Sequence, residues 1–332
     1  MNLYEQQRSN RRKTWLVMLA FVAFFLVLGL GFDTFYIGAG GGVVPIGTVI
    51  ALGVGIVSAA SSYFSGDRAV LLATAARPIE ELTAAADDAD RLKLRQLENV
   101  VEEMAIASGL PRPRVYVVPD ADPNAFATGR DPAHASLAVT RGLLDTLDRE
   151  ELQGVVAHEM SHIRNLDVRV MTIVAALVGA VALLADWARR GMMWGGGPRR
   201  GSDRNSRDDD RGGGLAGIIL FAVWVIANLI APLLAQLLAM MVSRRREYLA
   251  DASGAELTRN PMGLARALEK IDAAAGPTVA VNRGTAHLCI ADPLGRSMNL
   301  RQGAWANLFA SHPPMSARIA ALREMAFQRA AR

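Results

Sequence analysis

The sequence predicts a mainly α integral membrane protein, with about four transmembrane helices joined to an α+β domain that carries a small antiparallel sheet. Three observations lead there. Hydrophobic residues make up 51% of the 332 residues and charged ones only 20%, more apolar than a soluble chain of this size requires. Four apolar runs, at residues 15–30, 43–64, 168–187 and 215–242, approach the roughly 20 residues that cross a bilayer. Between the second and third, amphipathic helical spacing alternates with short β-rich runs.

Residues 1–14 form a polar basic tail with Arg8, Arg11, Arg12 and Lys13. The apolar run after it is long and no small-residue cleavage pattern follows cleanly, so it reads as an uncleaved membrane helix rather than a signal peptide. A glycine-rich turn at 38–42, with Asp33 as the only charge nearby, leads into the second run. Together, residues 15–64 read as a helical hairpin. Positive charge lies at its outer ends, around Arg11 and Arg68, and is absent from its turn, which places both ends in the cytoplasm.

Residues 65–167 have the character of a water-facing domain. The segment from Asp87 to Gly109 carries Leu94, Leu97, Val101, Met104 and Ala105 at helical spacing, with Gly109 and Pro111 as stop signals. Arg114–Val118 and Ala135–Thr140 read as strands, and the short connections around Pro123–Gly129 suit an antiparallel arrangement. Asn124 and Phe126 read equally well as a turn residue and ordinary core. Asp148 and Glu151 then stand in capping-box spacing ahead of Leu152, Val155, Val156 and Met160.

That helix carries His158-Glu159-Met160-Ser161-His162. Positions i and i+4 share a helical face, about 6 Å apart along the axis, so both imidazoles can reach one zinc ion. Glu159 leaves the helix at another angle and is free to act as a general base beside the metal. Glu150, Glu151, Arg164 and Asn165 flank the motif, so it belongs to a water-facing helix and not to an apolar span.

The third run, 168–187, follows directly, which puts the metal on the order of 10 Å from the bilayer at about 1.5 Å of rise per residue. Residues 188–214, rich in Gly, Arg and Asp, cannot bury a core. The fourth run, 215–242, is interrupted by Asn228, Pro232 and Gln236. Ligands after residue 243 must share a side with His158, so runs three and four both cross or neither does. The arginine load between them is unusual for an exported loop, which keeps a shallow, non-spanning hairpin as the alternative. In the final segment, 243–332, Glu247 and Asp251 are again i and i+4. That is the spacing of a carboxylate ligand and an acid one turn on that holds a ligating imidazole, although a solvated pair with nearby arginines would use the same residues.

Four motifs, His158–His162, Arg246-Glu247-Tyr248-Leu249-Ala250-Asp251, Asn124-Ala125-Phe126-Ala127-Thr128-Gly129 and His312-Pro313-Pro314-Met315-Ser316-Ala317-Arg318, resemble those of the HtpX family of membrane zinc endopeptidases, relatives of the type I CAAX prenyl endopeptidases. The resemblance runs from the first hairpin to Arg318. It implies a gluzincin-type zinc protease domain with one Zn2+ per chain, ligated by His158, His162 and Glu247, and Glu159 as catalytic base. It implies Asp251 and Arg318 behind the ligands and His312 near the metal, where it is the candidate donor to the developing oxyanion. Arg318 is as well suited to locking Glu247 or Asp251 as to touching substrate. Asn124, Ala125, Phe126 and Ala127 would form the edge strand along which unfolded substrate lies.

The implied partners are unfolded or misfolded proteins, the lipid bilayer and the chain itself through self-cleavage, and the implied location is a bacterial plasma membrane with the protease domain cytoplasmic. The long polar tail and the low-complexity loop depart from the family. Four membrane helices are few for prenyl processing, which favours quality control and stress response; a chaperone or scaffold with structural zinc is the alternative from another class. The net charge of +4 and pI near 9.6 come mostly from arginines beside apolar runs, with no aromatic-interleaved basic motif, so no nucleic-acid partner is expected. Cys289, the single cysteine, excludes an internal disulfide and a cysteine-rich metal site. His134 and His287 read as loop and packing residues.

Overall fold

The structure, a computed structural model, describes residues 3–36, 45–195, 244–274, 288–291 and 313–330. The glycine-rich turn at 38–42, the loop from 196 to 214, the fourth apolar run, His287 and His312 lie outside the described residues. By compactness the chain divides into residues 1–176 with 238–332, and residues 177–237. The site lies in the first of these.

Helix α1 (Leu3–Tyr36) begins within the segment read as a polar tail, and α2 (Ile46–Ala73) returns along it. Both are long and apolar enough to cross a membrane, and little of either is buried within the fold. Trp15, Leu16, Leu19, Val49, Ile50, Val57 and Phe64 point outward, as a lipid-facing surface requires. Pro45 at the start of α2 offers no side-chain cap, and Asp33 supplies one from α1. Its carboxylate accepts from Gly47 N at 2.9 Å, Thr48 N at 2.7 Å and Thr48 Oγ1 at 2.6 Å, satisfying amides that a helix start otherwise leaves open. At the other end Trp15 stacks on Tyr63, while Arg169 and Arg130 lie over the Tyr63 and Phe64 rings. Such amphipathic rings suit the boundary between membrane and water.

After this helix pair come β1 (Arg77–Pro78), α3 (Ile79–Ala85) and α4 (Asp88–Ser108). Asp87 caps α4, and Gly109, at φ 67, ends it in the left-handed conformation that glycine adopts without strain. Then come β2 (Arg114–Val118), β3 (Ala125–Gly129), β4 (Ala135–Thr140), α5 (Arg141–Thr146), α6 (Arg149–Arg164) and α7 (Asp167–Gly195), which contains the third apolar run. After the undescribed stretch come α8 (Arg244–Thr258), α9 (Pro261–Ala273) and α10 (Met315–Ala330).

The small sheet is mixed, not antiparallel, in the order β1-β2-β4-β3. β3 and β4 form the expected hairpin, Ala125 opposite Val139 and Gly129 opposite Ala135. β4 then slots between β3 and β2, so a strand antiparallel to β3 becomes parallel to β2. All of β3 and β4 is buried, which removes the period-2 alternation that marks a half-exposed strand. The main core joins α4, the sheet, α6 and α9 through residues such as Leu97, Val101, Leu137, Leu152, Val156, Met160, Leu264 and Leu268.

Candidate metal centre

Helix α6 starts on a complete capping box. Asp148 Oδ1 accepts from Glu151 N at 3.0 Å, and Glu151 Oε2 accepts from Asp148 N at 2.9 Å. Its apolar face then pulls the whole segment inward, so that His158, Glu159 and His162 are all buried. Helix α8 lies close against α6 because position 254 is glycine: a Cβ there would stand 3.0 Å from His158 N and 3.2 Å from His158 Cα. This approach brings Glu247 opposite the histidines.

His158 Nε2 and His162 Nε2 are 3.2 Å apart. Glu247 Oε2 lies 3.8 Å from the first and Oε1 3.6 Å from the second. A tetrahedral ion with metal–nitrogen bonds of about 2.0–2.1 Å separates its ligand atoms by about 3.4 Å, so the three donors stand at the spacing of one coordination sphere. All three are buried.

The far side of each ring supplies a stronger argument. His158 Nδ1 lies 2.9 Å from Asp251 Oδ1, a short contact that is bent away from ideal hydrogen-bond direction. His162 Nδ1 lies 3.2 Å from Asp167 Oδ2. Ionised carboxylates only accept, so the partners assign the proton of each ring to Nδ1. Both Nε2 atoms are then turned to one spot, which Glu247 also faces, a group of three donors that could hold a metal ion. Histidine and carboxylate donors suit zinc.

Two guanidiniums hold the outer carboxylates. Arg318, fully buried on α10, donates from Nε to Asp251 Oδ2 at 2.8 Å and from Nη2 to Asp251 Oδ1 at 2.7 Å. Burial opposes ionisation of Asp251, but Arg318 outweighs it and holds the carboxyl down at about 2. Arg318 Nη1 also stands 3.7 Å from Glu247 Oε2. Arg246 Nη1 donates to Asp167 Oδ1 at 3.2 Å; burial again opposes ionisation, and the hydrogen bond from His162 with the charges of His162 and Arg246 lowers Asp167. At His162 burial disfavours the charge, yet Asp167 and Glu247 raise the ring to about 9. A field that attracts a proton this strongly attracts a divalent ion, and binding the ion displaces the proton. Burial lifts Glu159 above the usual carboxylate range against the pull of both histidines and Arg318, toward a base able to keep a proton.

Asn124 sits just before β3, and Ala125, Phe126 and Ala127 lie within it, all buried. His134 is exposed and turns to Asp131 at 2.7 Å.

Two groups at the site escape a reading of the sequence. Asp167 reaches His162 because α6 stops at Arg164 and Leu166 takes φ 59, a left-handed turn that costs a branched residue of this kind about 1–2 kcal/mol. The only local signal is an acid five residues past the second histidine. Asn10 of α1 donates to Asp167 Oδ1 at 2.7 Å and to Asn165 O at 2.9 Å, and Gln7 to Arg164 O at 2.8 Å. A polar face at positions 6, 10 and 14, all buried, was the available sign.

The sequence model of Peptidase family M48 matches residues 91–326. The chain is 41% identical over 323 residues to the "Protease HtpX homolog" of Thermoanaerobacter pseudethanolicus, covering 97% of this chain and 98% of that protein. It is 40% identical over 324 residues to the "Protease HtpX homolog" of Streptococcus gordonii, covering 97% and 100%. The crystal structure of S. mikatae Ste24p aligns at a TM-score of 0.45 with 16% identity, covering 96% of this chain and 67% of that one.

Proposed function

This chain belongs to peptidase family M48, among the HtpX protease homologues, and on that premise we propose that it is a membrane-bound zinc endopeptidase that cleaves unfolded or damaged membrane proteins in quality control and stress response. The observation that carries the reading is the convergence of His158, His162 and Glu247, with each imidazole turned by a carboxylate on its far nitrogen. Held there, zinc would supply Lewis-acid polarisation of the scissile carbonyl and of the water that attacks it.

The chain's own residues do the rest. Glu159 accepts the proton of the attacking water and returns it to the departing amine. Asp251 and Asp167 fix the imidazole tautomers. Arg318 keeps Asp251 ionised and places a buried positive charge beside Glu247, where negative charge on a reacting carbonyl is favoured. His312 is the further donor to that charge, and Asn124–Ala127 align the extended substrate through backbone hydrogen bonds. The two apolar helices hold this site at the cytoplasmic face of a bacterial plasma membrane, where membrane-protein substrates expose unfolded segments.

The test is metal analysis together with proteolysis of a misfolded membrane protein in detergent. Wild type is expected to carry about one zinc per chain. Glu159→Gln should keep that metal and lose about 10²–10⁴-fold in kcat, the usual worth of a positioned general base. Full activity in that variant would sink the mechanism.

A further inference from the structure

Among the described residues, the outer edge of β3, the strand read as the substrate guide, is covered by Leu288–Ala291 of the same chain. Ile290 N donates to Ala125 O at 2.9 Å, and Phe126 and Cys289 form an antiparallel bridge. The Asn124 side chain grips the backbone of the next residue from both sides, with Nδ2 donating to Ala291 O at 3.0 Å and Oδ1 accepting from Ala291 N at 3.4 Å. Toward the metal ligands, Arg318 Nη1 donates to Ile290 O at 2.9 Å, the same nitrogen that stands 3.7 Å from Glu247 Oε2.

These contacts have one property in common. Each is made to the backbone of Leu288–Ala291, and the side chains that make them are Asn124 and Arg318. Strand addition uses this kind of recognition, independent of the guest's sequence, with pockets left to read alternate side chains. The side chains of the segment enter apolar surroundings: Leu288 and Cys289 pack with Val70, Phe126 and Met171, while Ile290 joins the core of α6 and α9. Ile290 is 1% exposed. The guanidinium that satisfies the Ile290 carbonyl also holds Asp251 and stands beside Glu247, so the backbone of the segment runs up to the metal-ligand side of the site.

Resting on the peptidase reading, we infer that Leu288–Ala291 is an intramolecular peptide seated in the substrate groove, which incoming substrate must displace. Ile290 then reports the specificity of the subsite beside the metal ligands: it takes a branched aliphatic side chain on an extended backbone. That is the chemistry exposed when an apolar core or a membrane segment unfolds, so the resting enzyme shields its groove and opens it only to unfolded chain.

The probe is a fluorescent octapeptide of residues 286–293 with serine in place of the cysteine, and the protein is the full chain in detergent carrying Glu159→Gln, so that nothing is cleaved. Adding Ile290→Pro removes the N–H given to Ala125 O and should tighten peptide binding by about ten-fold or more, since a site occupied by its own segment binds more weakly by its vacant fraction. Hydrogen exchange on the chain without Ile290→Pro gives a readout that does not depend on the folding of that variant: saturating peptide should expose the Ile290 amide. A peptide that fails to bind, that binds no more tightly to the double variant, or that saturates while Ile290 stays protected would overturn the inference. Absence of zinc and of proteolysis in wild type would instead remove the peptidase reading, and the exchange result would stand apart from it.

Discussion

Asn10 Nδ2 and Asp167 Oδ1 are 2.7 Å apart across 157 residues of sequence. Through that bond the polar start of a helix that is otherwise apolar reaches the carboxylate that turns His162. The other carboxylate oxygen faces the ring, and Arg246 completes the group. The first candidate membrane helix is thereby tied to the candidate metal centre.

Asn10→Ala should therefore act at a distance. It leaves Asp167 and Asn165 O short of a buried donor, at a cost of about 1–3 kcal/mol. Thermal unfolding should fall accordingly, and chelator competition should show weaker zinc retention. Unchanged zinc retention would confine Asn10 to packing.

Asp167→Asn preserves shape and removes the charge. Partners of a ligating histidine typically cost 10–100-fold in metal affinity when altered, and that loss is expected here. Metal competition, read together with a folding measurement, separates it from general destabilisation. The variant also leaves Arg246 without its anionic partner, so some loss of stability accompanies it.

Gly254→Ala tests the close approach of α6 and α8. The new Cβ would meet backbone atoms of His158 at 3.0–3.2 Å, and backbone cannot swing aside as a flexible side chain can. The expected cost is about 1–3 kcal/mol of overpacking, with Glu247 drawn away from the histidines. Zinc affinity should drop while the circular dichroism spectrum keeps its helical shape.

Removing the metal should lower the midpoint of thermal unfolding. A ligand at a thousand-fold excess over its Kd stabilises the folded state by about 4 kcal/mol. Dialysis against a chelator followed by zinc repletion is the measurement, and recovery of the midpoint by zinc but not by magnesium is the expected outcome. Equal recovery with magnesium would argue against a histidine-rich site.

Local periodicity made much of this legible. A 3.6-residue repeat places His158 and His162 on one helical face and Glu247 and Asp251 on another wherever the helices go, and the Asp148–Glu151 box and the Asp87 and Gly109 ends of α4 are properties of a few adjacent residues. What distant segments do to one another is not written locally. The expected antiparallel sheet is mixed because β4 enters between two strands that precede it, a choice of path and not of composition. Leu166 in a left-handed turn, Asn10 reaching over 157 residues and Leu288–Ala291 lying along β3 are likewise outcomes of the backbone's route. The sequence by itself determined the donors and their spacing along each helix, because those follow from the geometry of a single element. Only the tertiary structure decided that Asp167 stands behind His162 and what covers the outer edge of β3, because buried charges and strand edges are satisfied by whichever segment the fold delivers to them.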